Sequence, residues 1–473
     1  MIIKRYFLIL GLIFASILGL SAQVLSPVNE FMHRSPLYGG ENPARFSHVN
    51  GYVGIPGISN LQITFVNSLF NLNNLIRYDA EGYPVALTPN NFVNHLSEKN
   101  NGLNLSLNEE ILNFGFRVKR SFISIGLNLH SDTYLRLSKD VLAFPINGNM
   151  SYTEKPAQME MDINSVNYAD LHVRLQLELS KRLYIGVRPR LLLGLAQLKT
   201  NTLQATVATD PNTYALTINY EADVLLHSAM PLTATDNRLG LGTINMDMLK
   251  ASLKNMGFAI DLGAVYRISD KLGVEISAMD LGFIRWNNDA IQFKSNIGDG
   301  GSLYKDGSLF FDGIPQDVLQ DLLKGNTSKL SAYGDSLSNY FPSTFEQVPG
   351  KSSTALNARF NAGVYFDILP KHRFSLQLQG RCVGKTFYPS MTVAYSGRIG
   401  NILDITVPYS IMSGSYDNLG VGIGLNLWGF YLYAASNNVL FFRKNFGSQL
   451  NAQVGLVVNW GYKKAQERSL KEE

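Results

Sequence analysis

The sequence predicts an all-β fold, an antiparallel transmembrane β-barrel of about fourteen strands, and three observations support this. Apolar and polar residues alternate along many segments, as in strands with one apolar face. The phase of the alternation fits antiparallel hairpins at five places. Short connections alternate with connections that include several long ones, which is the pattern of outer-membrane barrels with short periplasmic turns and long extracellular loops.

The alternation is clearest in residues 171–179. Odd positions carry Leu, Val, Leu, Leu and Leu, whereas even positions carry His, Arg, Gln and Glu. After a three-residue turn, residues 183–195 again place apolar side chains at odd positions. Each segment therefore has one apolar and one polar face.

Hairpin register tests this interpretation, because residues paired across an antiparallel hairpin share a face. A two-residue turn at Lys119-Arg120 would pair Phe116 with Ile123. Apolar positions are even before this turn and odd after it, as the pairing requires. Four further hairpins obey the same rule, with turns near 180–182, 269–271, 369–373 and 428–429.

Fourteen strands would return both ends of the barrel to the periplasm. Sixteen is the alternative, if an extra hairpin at 199–225 joins the wall. A short helix is expected within 314–340, where apolar residues recur at helical spacing. The fourteen predicted strands lie near 60–67, 103–118, 121–137, 165–179, 183–198, 256–268, 272–286, 353–368, 374–386, 391–398, 403–411, 418–427, 430–440 and 449–460.

The width of such a barrel indicates which face points outward. A closed barrel of fourteen strands is too wide for side chains to fill as a dry core. Polar faces should therefore line the lumen, and apolar faces should contact outer-membrane lipid; a secreted soluble β protein is the alternative. Trp286, Trp428 and Trp460 fall at strand ends with Tyr431 nearby, which favours aromatic girdles at the membrane interfaces.

The chain divides into four parts. Residues 1–22 are predicted to be a cleaved signal peptide, with a basic start, an apolar run and a small-residue cleavage site; an uncleaved anchor is the alternative. Residues 23–50 form an N-terminal segment that is a candidate plug. Residues 51–461 form the outer-membrane barrel, and 462–473 form a charged periplasmic tail.

Composition and motifs narrow the function. The net charge of +4 is modest and not clustered, which argues against a nucleic-acid partner. Cys382 is the only cysteine, so no internal disulfide forms, and no metal-ligand spacing or cofactor motif occurs. No enzyme motif stands out, so we expect no enzyme; an Asp/His/Ser site spread over several strands is the alternative. His172 is expected to be a solvated luminal side chain.

The polar faces supply the candidate luminal contacts. If Leu179 lies opposite Leu183, Arg174 faces Arg188, and the two repel unless an anion, a carboxylate or a plug segment lies between them. Two interpretations stay open: a basic contact for an acidic group or plug, and a hydrated ion-pair network that stiffens the wall. The candidate contacts are Arg174, Glu178, Arg188, Arg190, Asp261, Arg359 and Arg381.

Further register expectations concern individual positions. Glu178 should be a diagonal neighbour of Tyr184. On a later hairpin, Asn361 should face Arg381. Asp261 and Asp280, each in an Asp-Leu-Gly context, should partner luminal basic residues or the plug. The apolar parity shifts after Asp280, which indicates a β-bulge.

Several segments resemble a known family. Asn42, Pro43 and Ala44 form a candidate plug motif, which resembles the Asn-Pro-Ala signature of long-chain fatty-acid transporter-like barrels. Together with residues 54–60, 257–263, 280–286 and 418–422, it resembles an uncharacterised family of Bacteroidota outer-membrane barrels. The resemblance implies a fourteen-strand barrel whose N-terminal segment plugs the lumen. It implies no substrate and no catalytic residue.

Two functions follow as expectations. The first is passive transport of small molecules across the outer membrane, with a hydrophobic ligand as one candidate. The second is a non-transporting scaffold or receptor in secretion or surface assembly, with a protein partner at the extracellular loops 199–255 and 287–352. An apolar pocket beside residues 23–50 would favour transport, whereas a lumen sealed by charge networks, with no pocket, would favour the scaffold.

Overall fold

The computed structural model describes residues 27–461, apart from 70–75, 79–83, 100, 213–215, 230–231, 236–237, 242–249, 296–327, 329–342, 350, 384–385, 413–414 and 441–448. The expected signal peptide and the expected charged tail lie outside the described residues. So does the helix expected within 314–340, of which only Ser328 is described.

A closed antiparallel barrel of fourteen strands forms the body of the protein, which confirms the predicted fold class. Three of the fourteen are interrupted and consist of two pieces each. The interrupted strands are β1 (Gly51–Gly54) with β2 (Leu61–Asn67), β16 (Ser352–Ala355) with β17 (Arg359–Leu369), and β21 (Ser415–Leu419) with β22 (Val421–Leu427). The others are β5 (Asn101–Val118), β6 (Ser121–Leu137), β7 (Ala157–Glu178), β8 (Leu183–Thr209), β12 (Met256–Arg267), β13 (Leu272–Trp286), β18 (His372–Val383), β19 (Thr386–Ile399), β20 (Leu403–Met412), β23 (Phe430–Ser436) and β24 (Gln449–Trp460).

The barrel closes at its first strand. Both β1 and β2 pair with β24 on one side and with β5 on the other. The wall is therefore continuous, without the exposed sheet edge that an open sheet of this size would present.

Further elements lie beyond the long-loop end of the barrel. The outer half of β8 pairs with β9 (Leu216–Ser228), followed by β14 (Ala290–Ser295) and β15 (Ser343–Val348). The hairpin at 199–225 thus extends the wall outward instead of adding strands to the barrel, so the sixteen-strand alternative is wrong. The remaining elements at this end are two hairpins, β3 (Ile76–Tyr78) with β4 (Pro84–Leu87) and β10 (Leu232–Thr235) with β11 (Arg238–Leu241). They also include the helices α1 (Pro89–Asn94) and α2 (Lys139–Asn147) and a 3-10 helix at Asn149–Tyr152. In the described part of the chain, every helix is too short or too polar to cross a bilayer.

The hairpin register follows the predicted parity. Phe116 pairs with Ile123 across the first short turn. At the turn after β22, Trp428 and Gly429 have φ angles of 51° and 90°. Two successive positive φ values are typical of the type I′ turn, whose twist matches that of the flanking strands.

The predicted bulge at Asp280 is also present. Ile260 pairs with Leu281, but Leu262 pairs with Ala278, so β13 has one extra residue at this point. Asp280 has a φ of 57°, in the left-handed region that Asp tolerates better than most residues. The bulge lets Asp280 join the inward face, and the apolar residues beyond it return to the outer face.

The outer surface of the barrel is apolar and the inner surface is polar. Phe258 and Ile276 are each 61% exposed on the outside. Asp261 and Arg190, on the inward face, are 0% and 4% exposed. A soluble barrel would show the opposite arrangement, with its apolar residues inside.

Two of the three tryptophans are exposed at a strand end, as a girdle requires, whereas for Trp286 the prediction is wrong. Trp428 and Trp460 are 94% and 49% exposed at the short-turn end. Trp286 is fully buried on the inward face, where its Nε1 donates to the hydroxyl of Thr354 at 3.0 Å. Tyr431 is also fully buried and inward, because it alternates with outward neighbours in β23.

Two register details differ from expectation. Arg381 faces Arg359, and Asn361 faces Gln379. The expected five-residue loop at 369–373 is wrong, because Leu369 pairs with His372 across a two-residue turn and the pairing shifts once more between Asp367 and Leu369. Glu178 is the direct, not diagonal, partner of Tyr184. The first difference places two guanidinium groups side by side on the lumen wall.

Residues 27–50, here called the inner segment, lie inside the barrel. A short 3-10 helix at Val28–Glu30 opens the segment, and the rest consists of turns. Val28, Met32 and Val49 are buried against inward aromatic side chains of the wall, including Phe122 and Tyr433. Hydrogen bonds from many strands hold the segment, which continues directly into β1.

Candidate functional site

The two facing arginines do not share an anion, because each donates to the inner segment. Arg174 donates from Nε to the carbonyl of Pro43 at 2.9 Å and from Nη2 to the carbonyl of Arg45 at 2.6 Å. Arg188 donates from Nη1 to the carbonyl of Gly40 at 2.9 Å. Backbone carbonyl oxygens of the inner segment thus separate the two positive charges.

The Asn-Pro-Ala motif forms the tight turn that these arginines hold. Asn42 accepts a hydrogen bond from the Ala44 amide at 3.0 Å and donates to the carbonyl of Ile276 at 3.3 Å. The turn lies against two wall glycines. A Cβ on Gly186 would be 2.1 Å from the Pro43 carbonyl carbon, and one on Gly263 would be 2.0 Å from the Asn42 Oδ1. Both glycines therefore make room for the backbone of the inner segment.

Arg45 anchors the segment to the wall through Glu275. Its guanidinium donates to the Glu275 carboxylate at 2.9 and 2.6 Å and to the Glu30 carbonyl at 3.0 Å. The Glu30 carboxylate is buried, lies 3.5 Å from Arg45 and accepts a hydrogen bond from Gln377. Burial raises the pKa of Glu30 to about 7, with Arg45 opposing the rise. Sequence reasoning missed this cluster, because Glu275 and Gln377 of the wall lie more than 200 positions from Glu30 and Arg45 of the inner segment.

A second cluster of the inner segment is basic. Arg34 donates from Nε to the His33 ring at 3.3 Å, and its Nη1 lies 3.4 Å from the His48 ring. The His33 Nδ1 lies 2.7 Å from the hydroxyl of Ser396. Burial, followed by the nearby arginines, lowers the pKa of His33 and of His48 well below the usual value, so both rings are neutral at pH 7.

The remaining candidate contacts form a chain of ion pairs around the bulge. Arg188 donates to Asp261 at 2.6 Å, and the Asp280 amide donates to the other oxygen of Asp261 at 2.6 Å. The Asp280 carboxylate accepts hydrogen bonds from Arg190 and, at 2.7 Å, from Arg359. Burying these charges is tolerable because each has a partner of opposite sign.

Asp170 extends this network to two histidines. Its Oδ2 accepts a hydrogen bond from Arg190 at 2.8 Å and also contacts the His130 Nε2. Its Oδ1 lies 2.8 Å from the His172 Nδ1. His172 is therefore buried and paired, contrary to the solvated side chain that was expected. The other hydrogen bonds described for His130 lead to Asn108 and Arg190. No described contact of the cluster provides a serine or cysteine nucleophile, and no group of metal-ligating side chains occurs in the described part of the chain.

The inner segment joins the same network through Glu41. Its carboxylate accepts a hydrogen bond from Arg359, and its carbonyl accepts one from the Ser277 hydroxyl at 3.0 Å. Arg381, beside Arg359, has Asp132 as its described carboxylate neighbour at 3.7 Å, beyond hydrogen-bond reach. Glu178 lies apart from this site, half-buried at the short-turn end of β7.

Two cavities lie along the axis between the inner segment and the long-loop end. The inner cavity, of about 140 Å³, is lined by the inner segment and the ion-pair network. The outer cavity, of about 590 Å³, is lined mainly by Asn, Gln, Thr, Asp, Arg and Tyr side chains. Five residues that line both cavities are here called the junction ring: Asp132, Tyr168, Asp280, Arg381 and Tyr388.

Comparison with protein families gives a match over most of the chain. The model described as "Family of unknown function (DUF5723)" matches residues 43–437, which confirms the predicted membership of an uncharacterised family. Among curated protein sequences, none matches the chain.

Solved structures that resemble the protein include three from other bacterial proteins. The toluene transporter TodX of P. putida is 9% identical, with 93% of this chain and 96% of that chain covered and a TM-score of 0.41. A FadL homologue of Pseudomonas aeruginosa is 7% identical, with 93% and 100% covered and a TM-score of 0.45. The translocator domain of the autotransporter NalP of Neisseria meningitidis is 8% identical, with 87% and 89% covered and a TM-score of 0.32.

Proposed function

We propose that this chain, which belongs to the family of unknown function DUF5723, is an outer-membrane channel for small polar molecules that its own inner segment closes. The observation that carries the proposal is the pair of cavities on the barrel axis, which are lined mainly by polar residues and meet at the junction ring. A wall of this kind offers hydrogen-bonding partners to a hydrated solute along its path.

The apolar outer surface supports the membrane location. Apolar side chains face outward on strand after strand, including Phe116, Phe258, Ile276 and Leu432. Soluble monomers rarely expose contiguous apolar patches larger than a few hundred Å². Lipid would cover this surface, with the short turns on the periplasmic side and the long loops outside.

The lining favours a polar cargo over the hydrophobic one that the sequence left open. A hydrophobic molecule in either cavity would displace the water that hydrates these polar side chains, which costs free energy. The inner segment, held by Arg174, Arg188 and Arg359, stands between these cavities and the short-turn end. Passage therefore requires the segment to move.

The test is conductance in planar bilayers, combined with uptake of small sugars into liposomes. We expect the intact protein to conduct weakly and a variant lacking residues 23–50 to conduct strongly. Because the deletion could impair folding, a full-length Arg174→Gln variant should show an intermediate conductance. Arg120→Gln, in an exposed short turn, serves as the control. Absence of conductance from every correctly folded variant would reject the proposal.

A scaffold remains the second candidate, supported by the ordered structure beyond the barrel. The long-loop end carries the sheet of β8, β9, β14 and β15. It also carries helix α2, which packs on this sheet through Phe144 and Val207 and on helix α1 through Ala143. This outer sheet and its two helices form an ordered surface that suits a protein partner. Folded protein that never conducts would favour this function.

A further inference from the structure

We propose that the junction ring binds a small hydroxylated carboxylate, such as a sugar acid, and that the Glu41 carboxylate of the inner segment occupies the neighbouring half of the same basic site. The inference rests on the proposed channel function and deepens it, because it names the class of molecule that the polar lumen takes.

The basic half of the site consists of Arg359 and Arg381. They are direct partners across the β17–β18 hairpin, and both line the inner cavity. Like charges directly opposite each other destabilise a sheet unless an anion compensates them. Arg359 is compensated twice, by Asp280 at 2.7 Å and by Glu41.

Arg381 is compensated less well. Its described carboxylate neighbour, Asp132, is 3.7 Å away, and its side chain is 15% exposed where the two cavities meet. A guanidinium group presents a planar fork of N–H donors that matches a carboxylate through two parallel hydrogen bonds. Arg381 can therefore receive an anion that arrives from the outer cavity.

Glu41 indicates which kind of anion this site takes. Its carboxylate lies on Arg359 and lines the inner cavity, although it belongs to the inner segment and not to the wall. The anion beside the arginine pair is thus a carboxylate on a flexible side chain. A free carboxylate of similar size can bind Arg381 and compete with Glu41 for Arg359.

The rest of the ring favours a hydroxylated molecule. The Asp132 carboxylate accepts a hydrogen bond from Ser106. The Asp280 carboxylate accepts from Arg190 and Arg359. Each carboxylate has further lone pairs, which the hydroxyl groups of a ligand can use and a purely apolar chain cannot. Tyr168 and Tyr388 complete the ring. The outer cavity, of about 590 Å³, is large enough for a monosaccharide.

Competition between ligand and Glu41 has a measurable consequence. If both carboxylates need the arginine pair, part of the binding free energy of the ligand is used to displace Glu41. Removing the Glu41 charge should then tighten binding, whereas removing the Arg381 charge should weaken it. A wall residue that contacts the ligand without competing for the arginines would only weaken binding when it is replaced.

The experiment is isothermal titration calorimetry of the full-length protein in detergent with glucuronate, and with glucose as the neutral probe. We expect glucuronate to bind at least about tenfold more tightly than glucose. Arg381→Gln should weaken glucuronate binding by about tenfold or more, as for a lost charged hydrogen bond. Glu41→Gln should tighten it, and the control Arg120→Gln should leave it unchanged. Resistance of the barrel to detergent unfolding verifies that each variant is folded.

Each outcome decides the inference. Equal binding of both sugars, unaltered binding by folded Arg381→Gln, or unaltered binding by folded Glu41→Gln overturns it. Binding that is detectable only in Glu41→Gln supports it, because the wild-type carboxylate then outcompetes the probe. A conducting channel that binds no glucuronate in any variant rejects the site and leaves the channel function standing. Binding without conductance supports the site and rejects the channel.

Discussion

Arg174 and Pro43 lie 131 positions apart, yet the guanidinium Nε of the first donates to the carbonyl of the second at 2.9 Å. This bond, with its neighbour to the Arg45 carbonyl, makes a wall strand the direct support of the Asn-Pro-Ala turn. Arg174, which faces another arginine, is thus compensated by oriented backbone carbonyl dipoles of the inner segment.

Replacing Arg174 tests how firmly this turn is held. Arg174→Gln should leave the carbonyls of Pro43 and Arg45 without their charged donors, at a cost of about 3 kcal/mol. We expect backbone amides of residues 40–47 to exchange with deuterium about a hundredfold faster, measured by mass spectrometry. Arg120→Gln, exposed and remote, should not change the exchange; equal exchange in both variants would contradict the assignment.

Gly186 provides a steric test of the same contact. In Gly186→Ala the new Cβ would lie 2.1 Å from the Pro43 carbonyl carbon and 2.2 Å from the Ala44 nitrogen, so the backbone of the turn must shift. Alanine stabilises a strand by less than about 1 kcal/mol relative to glycine, whereas such overpacking costs about 1–3 kcal/mol. Bilayer conductance should therefore rise.

The matched control for this change is Gly40→Ala. A Cβ on Gly40 has the Leu37 carbonyl oxygen as its nearest neighbour, at 3.6 Å, which is an ordinary contact. Conductance of this variant should equal that of the wild type. If Gly186→Ala and Gly40→Ala behave alike, the packing of the turn against β8 does not control closure.

Glu30 predicts a pH dependence. Its pKa, raised by burial to about 7, exceeds the usual value of 4.5, so the bound inner segment holds a proton that the released segment loses. Glu30 should therefore contribute most to the binding of the inner segment in the lumen at low pH. This contribution should weaken as the pH rises from 4.5 through 7. His33 and His48 act in the opposite direction, but only below about pH 6.5.

The window from pH 6.5 to 8 therefore reports mainly Glu30. Deuterium exchange of residues 27–35, corrected for the intrinsic effect of pH, should show a looser inner segment at pH 8 than at pH 6.5. Glu30→Gln, which stays neutral, should remove this difference. Persistence of the full difference in Glu30→Gln would assign it to another group.

Asp280 tests the ion-pair network without disturbing the bulge. Asn tolerates the left-handed backbone at φ 57° about as well as Asp, so Asp280→Asn removes the charge and keeps the conformation. The loss leaves Arg190 and Arg359 short of one carboxylate, and we expect a destabilisation of about 3 kcal/mol. Urea unfolding in lipid vesicles measures this destabilisation. A change in the free energy of unfolding below about 0.5 kcal/mol would contradict a stabilising role for the ion pairs of Asp280.

Local periodicity was sufficient to predict the wall but not its contents. Phe116 and Ile123 pair as predicted, because a two-residue turn permits only one parity. The same alternation also places Tyr431 inward, since Phe430 and Leu432 face outward. The prediction from aromatic residues at strand ends did not take this alternation into account. Trp286 was misplaced for the same reason.

The site itself depends on contacts that no local pattern encodes. Glu41 meets Arg359 and Arg45 meets Glu275 only because the inner segment folds back into the barrel. The predicted partner of Arg381 was wrong because a two-residue turn with a register shift at Asp367 keeps the same parity of apolar positions as a five-residue loop. Residue types on the polar faces could be listed from sequence, whereas their partners required the three-dimensional arrangement.

The inner segment is attached at the seam of the barrel. Asn50, its last residue, donates from its amide to the Trp460 carbonyl at 3.0 Å and accepts from the Arg117 amide at 2.8 Å, so it bridges the last strand and the strand that follows the first. The inner segment and the barrel wall are therefore held together at the same seam between β1 and β24. A mechanical force or an enzyme that separates β1 from β24 would release the inner segment and open the wall together, without acting on the lumen.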